Sequence, residues 1–158
     1  EGITRLAVDS IFMMPHLGVL AEINPTAATE VFNKDCMIML GSCVAPVGKI
    51  KPDAVALSAE IHLPDGTVFK EDIRFGEMRL LPCGLGQKAK AILKPGKGLD
   101  LGAGKNETRE VELPGGVVGI VLDTRGRRPF VLPSDNSRIP LLKKWMKELK
   151  AYPEHILS

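Results

Sequence analysis

The chain has 158 residues, of which 44% are hydrophobic and only 4% aromatic, so we expect one domain with an aliphatic core. A formal net charge of +2 excludes a typical nucleic-acid surface, which needs a clustered basic excess. No apolar run reaches the roughly 18 residues of a membrane span. The odd cysteine count of three favours a reducing compartment. We therefore expect a cytoplasmic protein that binds neither nucleic acid nor membranes.

The N-terminal zone, residues 1–48, is apolar and carries helical signals. Asp9 and the serine after it are suited to cap a short helical segment over residues 11–14. Pro15 follows this segment, and we expect the segment to end there. The whole zone is predicted to pack as a helical segment on a β-rich domain.

Two further elements are predicted in the same zone. Asn24 stands directly before a proline that suits the first helical turn, which predicts a helix over residues 26–33. Residues 36–40 form a short apolar run that ends at a glycine. We interpret this run as a buried strand or a chain crossing.

Residues 49–133 carry strand and turn signals throughout. Apolar and polar residues alternate over 55–61 and again over 68–73, with Pro-Asp-Gly-Thr between the two runs, which predicts a β-hairpin. Gly119 interrupts an apolar run and indicates a bulge or a close backbone approach. Short strands separated by Gly and Pro favour a small β-barrel or sandwich. The further predicted strands cover 77–81, 88–94, 110–113, 117–122 and 130–132.

The C-terminal zone, residues 134–158, reads as an amphipathic helix with a tail. Its apolar residues recur at steps of three and four, and Trp145 lies among them. We expect this stripe to dock on the β-rich domain, with the lysines of the other face solvated or presented to an acidic partner. The predicted fold class is mainly β (α+β), with helical segments at both ends.

A glycine-rich loop over residues 96–106 is the first candidate site. It fails the pattern of a nucleotide phosphate loop, because Leu99 stands where the first glycine is required and Asn106 stands where a hydroxyl is required. One interpretation is a looser anion nest of backbone amides with a lysine. The other is a connecting loop whose glycines serve its geometry. The candidate residues are Asp100, Gly102, Gly104 and Lys105.

The second candidate site is an arginine-rich turn over residues 123–129. Guanidinium forks suit carboxylates or phosphates of a partner or ligand, so Asp123, Arg125, Arg127 and Arg128 are predicted contact residues. In the alternative interpretation, Asp123 and Arg125 pin the turn while the other two arginines are solvated.

Catalytic and metal-binding patterns are weaker in this sequence. The three histidines and three cysteines lack short metal-site spacing, and we expect no metal or other cofactor. Cys43 follows a Gly-Ser pair and is either a reactive thiol beside a basic group or a small buried hydrophobe. A thiol enzyme built around Cys43 is therefore kept as a third functional alternative.

Several segments of the sequence form an ordered set. They are DSIFMMPHLGVL at 9–20, GEMRLLP at 76–82, GLDLGAGK at 98–105 and GGVVGIVLDTRGR at 115–127, then Leu132-Pro133 and the Trp145 helix. Together they resemble the C-terminal region of the glutamate-mutase-associated MutL family (GlmL), which is distinct from the mismatch-repair protein of that name. Phe12, Cys83 and Arg128 depart from the family pattern. The chain also begins without Met, which favours an excised fragment.

The resemblance implies an actin/hexokinase-like ATPase body upstream of this region. It links the whole protein to maintenance or reactivation of an adenosylcobalamin-dependent glutamate (methylaspartate) mutase. We expect this region to be a non-catalytic accessory domain, with the ATPase body, a corrinoid-dependent mutase or both as partners. A homodimer is a further option. The alternative function is a free-standing barrel module that binds a small ligand or an anion.

Overall fold

The computed structural model describes residues 2–49, 51–126, 135–153 and 155. Within these residues the chain is mainly β, as predicted, with two four-stranded sheets and three α-helices. The elements, in chain order, are β1 (Ile3–Asp9), α1 (Met14–Ile23), α2 (Pro25–Val31), a π-helical turn (Phe32–Cys36), β2 (Met37–Val44), β3 (Val55–His62), β4 (Val68–Arg74), β5 (Met78–Leu81), β6 (Lys88–Pro95), β7 (Arg109–Pro114), β8 (Gly119–Asp123) and α3 (Arg138–Glu148).

The first sheet has the strand order β1-β2-β8-β5. β2 and β8 run parallel, and the other two pairs are antiparallel. Gly41 pairs with Gly119, and a Cβ built at Gly41 would lie 1.8 Å from the Gly119 carbonyl oxygen. The close backbone approach predicted at Gly119 is thus confirmed, because no larger residue fits where these strands meet.

The second sheet has the order β4-β3-β6-β7 with antiparallel pairing throughout. It contains the predicted hairpin, whose turn is closed by a 2.8 Å bond from the Leu63 amide to the Thr67 carbonyl. Along β6, exposed and buried residues alternate without a break. This alternation follows from the period of two in a strand with one wet face.

One hydrophobic core takes side chains from both sheets, including Val44 and Ile120 of the first and Leu57 and Leu93 of the second. All four are fully buried. Among the described residues, strand pairing gives two separate sheets, without the continuous ring of pairs that a closed barrel needs. The barrel in the prediction is therefore not confirmed.

The N-terminal zone differs from its prediction in two places. Ile3–Asp9 forms a strand that the sequence analysis did not predict. The helix expected over residues 11–14 is wrong, because α1 begins at Met14 and holds Pro15 in its first turn. Proline is tolerated there, since the first helical amides need no partner within the helix.

Two other predictions in this zone are confirmed. The Asn24 side chain accepts a 3.0 Å hydrogen bond from the Ala27 amide and caps α2. The apolar run at 36–40 largely belongs to the strand β2, so the strand is confirmed, but its expected burial is wrong, because Ile38 is exposed and its neighbours at 37, 39 and 40 are half-buried. The predicted strand at 130–132 lies outside the described residues.

Residues 10–36 form a helical excursion between the adjacent strands β1 and β2. α1 packs mainly on α2, and the π-helical turn links α2 to β2. Within these three elements, the structure buries only Leu17, Ala28 and Cys36. Little of the excursion is therefore covered by the rest of the protein.

α3 packs against β5, the edge strand of the first sheet. The buried Trp145 donates a 2.8 Å hydrogen bond from Nε1 to the Gly76 carbonyl. The Met78 amide donates to Glu148 Oε2 at 2.8 Å. The predicted docking of this helix on the β-rich part is thus confirmed.

Candidate functional site

The glycine-rich loop is organised around the carboxylate of Asp100. Its Oδ1 atom accepts hydrogen bonds from the Gly102 amide at 2.6 Å and the Gly104 amide at 3.0 Å. These bonds, that from Gly102 first, lower the pKa of Asp100. The amides that an anion nest would offer thus already bind a carboxylate of the chain itself.

Further contacts fix the same loop to the body. Leu99 and Leu101 are buried, and Arg109 donates a 2.7 Å hydrogen bond to the Leu101 carbonyl. The Gly98 amide donates to Asn106 Oδ1 at 2.6 Å. These contacts are those of a connecting loop whose glycines serve its geometry.

Asp123 and Arg125 hold each other in the arginine-rich turn. Arg125 Nε lies 2.9 Å from Asp123 Oδ1, and Nη2 lies 2.8 Å from Oδ2. The guanidinium carbon lies 4.9 Å from the centroid of the Trp145 ring, a cation–π geometry. The hydrogen bonds that Arg125 donates to Asp123 are the main cause that raises the pKa of Arg125. Arg127 and Arg128 lie outside the described residues.

Thr124 joins this turn to the segment that precedes β5. Its side chain is fully buried, and Oγ1 lies within hydrogen-bond distance of the Arg74 and Glu77 carbonyls. It also accepts a hydrogen bond from the Glu77 amide at 3.2 Å. The segments at 76–82 and 115–126 and the Trp145 helix, three parts of the family resemblance, thus meet at one junction.

A cluster of charged side chains extends from this junction. Arg79 pairs with Glu71 through two of its nitrogens, and this contact is the main cause that raises the pKa of Arg79. Glu77 and Glu148 lie 3.4 and 3.5 Å from the same guanidinium. Burial raises the pKa of Glu148. The cluster ties β4, β5 and α3 together.

The thiols lie within or next to the body. Cys36 and Cys83 are buried, and loss of solvent raises the pKa of each. Cys43 is partly buried on β2, between Thr4 of β1 and Val121 of β8. No group of three His, Cys, Asp or Glu suited to hold a metal ion occurs among the residues that the structure describes.

Sequence reasoning missed an exposed apolar surface on the helical excursion, which we name the α1 surface. Phe12 is 87% exposed and Ile23 is 82% exposed. The signal in the sequence is that α1 has only His16 and Glu22 as polar residues, and such a helix needs a covering neighbour. The α1 surface consists of Ile11, Phe12, Met14, Val19 and Ile23.

Hydrogen bonds at the start of the excursion hold Phe12 in place. Asp9 Oδ1 accepts from the amides of Ile11 at 3.2 Å and Phe12 at 3.1 Å. Ser10 Oγ donates to the Cys36 carbonyl at 2.9 Å. Phe12 has a φ of +56°, a left-handed conformation that is unfavourable for a bulky side chain. These bonds thus hold the backbone of an exposed phenylalanine in a strained conformation.

Within the part of the chain that the structure describes, no helix combines the length and the apolar character needed to cross a membrane. No model of a known protein family matches the chain, and searches of curated proteins and of solved structures find no match either. Function is therefore inferred from the residues and their geometry.

Proposed function

We propose that this chain is a non-catalytic accessory module that binds a protein partner through the α1 surface. The observation that carries the proposal is the set of five large apolar side chains that the excursion leaves exposed within 13 residues, 11–23. Exposed apolar patches are typical of protein–protein contact sites, and the short spacing of these residues along the chain favours such a patch. The two sheets then act as a sandwich-type scaffold that holds the excursion.

The partner follows from the resemblance to the GlmL family. We propose the ATPase body of the same protein or a corrinoid-dependent mutase, in the cytoplasm, with maintenance of the mutase as the outcome. The meeting of three resemblance segments at the Thr124 junction supports their being parts of one structural unit. This proposal assigns the contact surface to α1 rather than to the arginine-rich turn.

The proposed binding mode is a helix that enters an apolar groove of the partner. Val19 and Ile23 are four residues apart and so lie on one side of α1. Gly18 has open space where a Cβ would stand, which leaves room for a partner to approach the helix backbone closely. Val19 and Ile23 thus provide two apolar anchors beside Gly18, where the helix backbone is accessible to a partner.

Phe12 gives the strongest energetic argument for this proposal. An exposed phenyl ring gains nothing from burial, and a non-glycine residue in a strained backbone conformation costs about 1–3 kcal/mol. Two hydrogen bonds to Asp9 nevertheless fix this conformation. A binding role explains the combination, because a partner that covers the ring would recover its burial energy.

The test is calorimetric titration of the intact chain into the ATPase body and, separately, into the mutase. The double variant Phe12→Ser/Ile23→Ser should weaken binding to one of them by about 30-fold, since we expect the two anchors together to contribute about 2 kcal/mol. The matched control is Leu85→Ser/Ile139→Ser, which removes two comparably exposed apolar side chains elsewhere. The control should bind like the parent.

Two results would count against the proposal. One is equal affinity of the double variant and the parent, with unchanged circular dichroism. The other is an equal loss of binding in the control, which would indicate general stickiness rather than a site on α1.

A further inference from the structure

We propose a second site, independent of the α1 surface, that binds an organic phosphate in a lysine-lined pocket. The pocket has a volume of about 560 Å³, within the range of roughly 300–1,000 Å³ found for small-molecule sites. Its described lining consists of Lys49, Lys51 and Lys97 with Ala54, Val55 and Leu99.

Backbone hydrogen bonds fix the segments that build this pocket. Val47 and Asp100 exchange bonds of 2.8 and 2.9 Å, so the chain just before Lys49 lies beside the glycine-rich loop. The Gly96 amide donates to the Ala56 carbonyl at 2.9 Å, which holds the start of the loop against β3. The lysines therefore project from a structured frame.

Glycines allow these segments to approach one another. A Cβ built at Gly48 would lie 2.8 Å from a methyl carbon of Leu99. One built at Gly96 would lie 2.2 Å from the Val55 carbonyl oxygen. Both distances are too short for a real Cβ atom. Glycine at these two positions therefore allows the segments to approach closely enough to form the pocket.

The charge of the pocket is uncompensated. Within the described residues, the three ammonium groups at 49, 51 and 97 make no ion pair or hydrogen bond. In contrast, Lys70 pairs with Glu60 at 2.7 Å and Lys88 with Glu112 at 3.1 Å. A bound anion would be attracted by all three of the ammonium groups that line this cavity.

The side chains indicate the class of anion. An ammonium is a compact point charge that binds phosphate, and a phosphate monoester, with a charge of about −1.5 to −2 at pH 7, balances more of the three positive charges than a carboxylate does. The apolar lining from Ala54, Val55 and Leu99 suits a ring or a short hydrocarbon group. A phosphate monoester with an apolar substituent satisfies both parts of the pocket.

This site differs from the anion nest predicted in the same loop. The nest would use Lys105 and the amides of Gly102 and Gly104, which bind Asp100 instead. The pocket uses Lys97, and Lys105 is not part of its lining. A role for Lys97 in binding would therefore favour the pocket, and a role for Lys105 would favour the nest.

The experiment is calorimetric titration of the intact chain at low salt with phenyl phosphate, inorganic phosphate and benzoate. We expect phenyl phosphate to bind at least tenfold more tightly than either of the others, because only it has both a phosphate and an apolar group. Absence of binding by phenyl phosphate would overturn the proposal. Equal affinity for benzoate would overturn the phosphate assignment, and equal affinity for inorganic phosphate would overturn the apolar subsite.

Lysine variants test whether the ligand binds in this pocket. Lys97→Gln and Lys49→Gln should each weaken phenyl phosphate binding at least fivefold, and Lys105→Gln is the matched control that should leave it unchanged. All three lysines are exposed, so folding should be preserved. A loss in Lys105→Gln as large as that in Lys97→Gln would contradict the pocket and favour the nest.

Discussion

Side chains are well buried in the two-sheet body and largely exposed in the helical excursion. In the body, the side chain of Thr124 is fully buried and has hydrogen-bond partners, and Ile120 and Leu122 of the preceding strand β8 are completely buried. In the excursion, Phe12 and Ile23 face solvent almost entirely. A single chain thus combines a well-packed scaffold with a segment whose packing is incomplete.

Under the proposed function, this difference separates residues that stabilise the fold from residues that bind a partner. Charged groups of the body, such as Arg79 and Arg125, are engaged by neighbouring carboxylates, so a partner would have to break contacts to reach them. The apolar groups of α1 need no such exchange. Changes in the body should therefore affect folding, and changes in the excursion should affect binding.

The largest effect is expected from Gly119→Ala in the body. The new Cβ would lie 2.4 Å from the Leu81 carbonyl oxygen at a φ of +113°, so we expect a loss of about 3 kcal/mol in the free energy of unfolding. Gly66→Ala is the control, because Gly66 also has a positive φ but open space around its Cβ. It should lose only about 1 kcal/mol. Urea denaturation measures both, and equal losses would refute the steric explanation.

A smaller effect is expected from Arg125→Glu. The substitution breaks the paired hydrogen bonds with Asp123 and the contact with Trp145, which should lower stability by about 2 kcal/mol. Lys147→Glu reverses an exposed charge on α3 and should change stability by less than about 0.5 kcal/mol. The fluorescence of Trp145 reports unfolding. Loss of partner binding without loss of stability would instead make the arginine-rich turn the contact surface.

The pH dependence should distinguish two carboxylates of opposite behaviour. The pKa of Glu148 is raised by burial, so its stabilising effect is present below its unfolded pKa, about 4.3, and is lost as the pH rises through the folded value. The pKa of Asp100 is lowered, so its effect is present above the unfolded pKa, about 3.9, and is lost in acid.

Stability curves of two variants test these signs. Glu148→Gln should flatten the decline in stability above about pH 4. Asp100→Asn should flatten the decline at lower pH, because the amide cannot gain or lose the proton. Parallel curves for the parent and either variant would show that the corresponding carboxylate is not linked to folding.

The smallest effects on stability are expected in the excursion. Gly18→Ala should stabilise α1 by about 0.5–1 kcal/mol, because alanine is the better helix former and its Cβ meets open space. The same change should weaken partner binding if the groove needs close approach at this position. Hydrogen exchange of the α1 amides measures the first effect and calorimetry the second. Slower exchange with unchanged affinity would leave Gly18 outside the interface.

Local patterns explain most of what the sequence predicted correctly. The hairpin of β3 and β4 follows from alternation and a strong turn, and the cap at Asn24 is formed by residues three apart. β1 was missed because its exposed and half-buried residues do not alternate. The parallel pairing of β2 with β8 joins residues about 80 positions apart and leaves no local signal.

The candidate sites show the same limit. That Asp123 and Arg125 pin their turn was one of the two interpretations left open, since these residues are neighbours. The contact of Arg125 with Trp145 depends on how α3 docks, which sequence spacing cannot give. Exposure of the α1 surface is likewise a tertiary property, because the sequence of an apolar helix does not show whether another element covers it.

The most direct test of the α1 surface is hydrogen exchange of the intact chain, alone and with a saturating partner, the ATPase body or the mutase. We predict that binding slows exchange in residues 10–36 and leaves the loop at 98–105 and the turn at 123–126 unchanged. Protection confined to that loop and turn, with none in the excursion, would contradict the account.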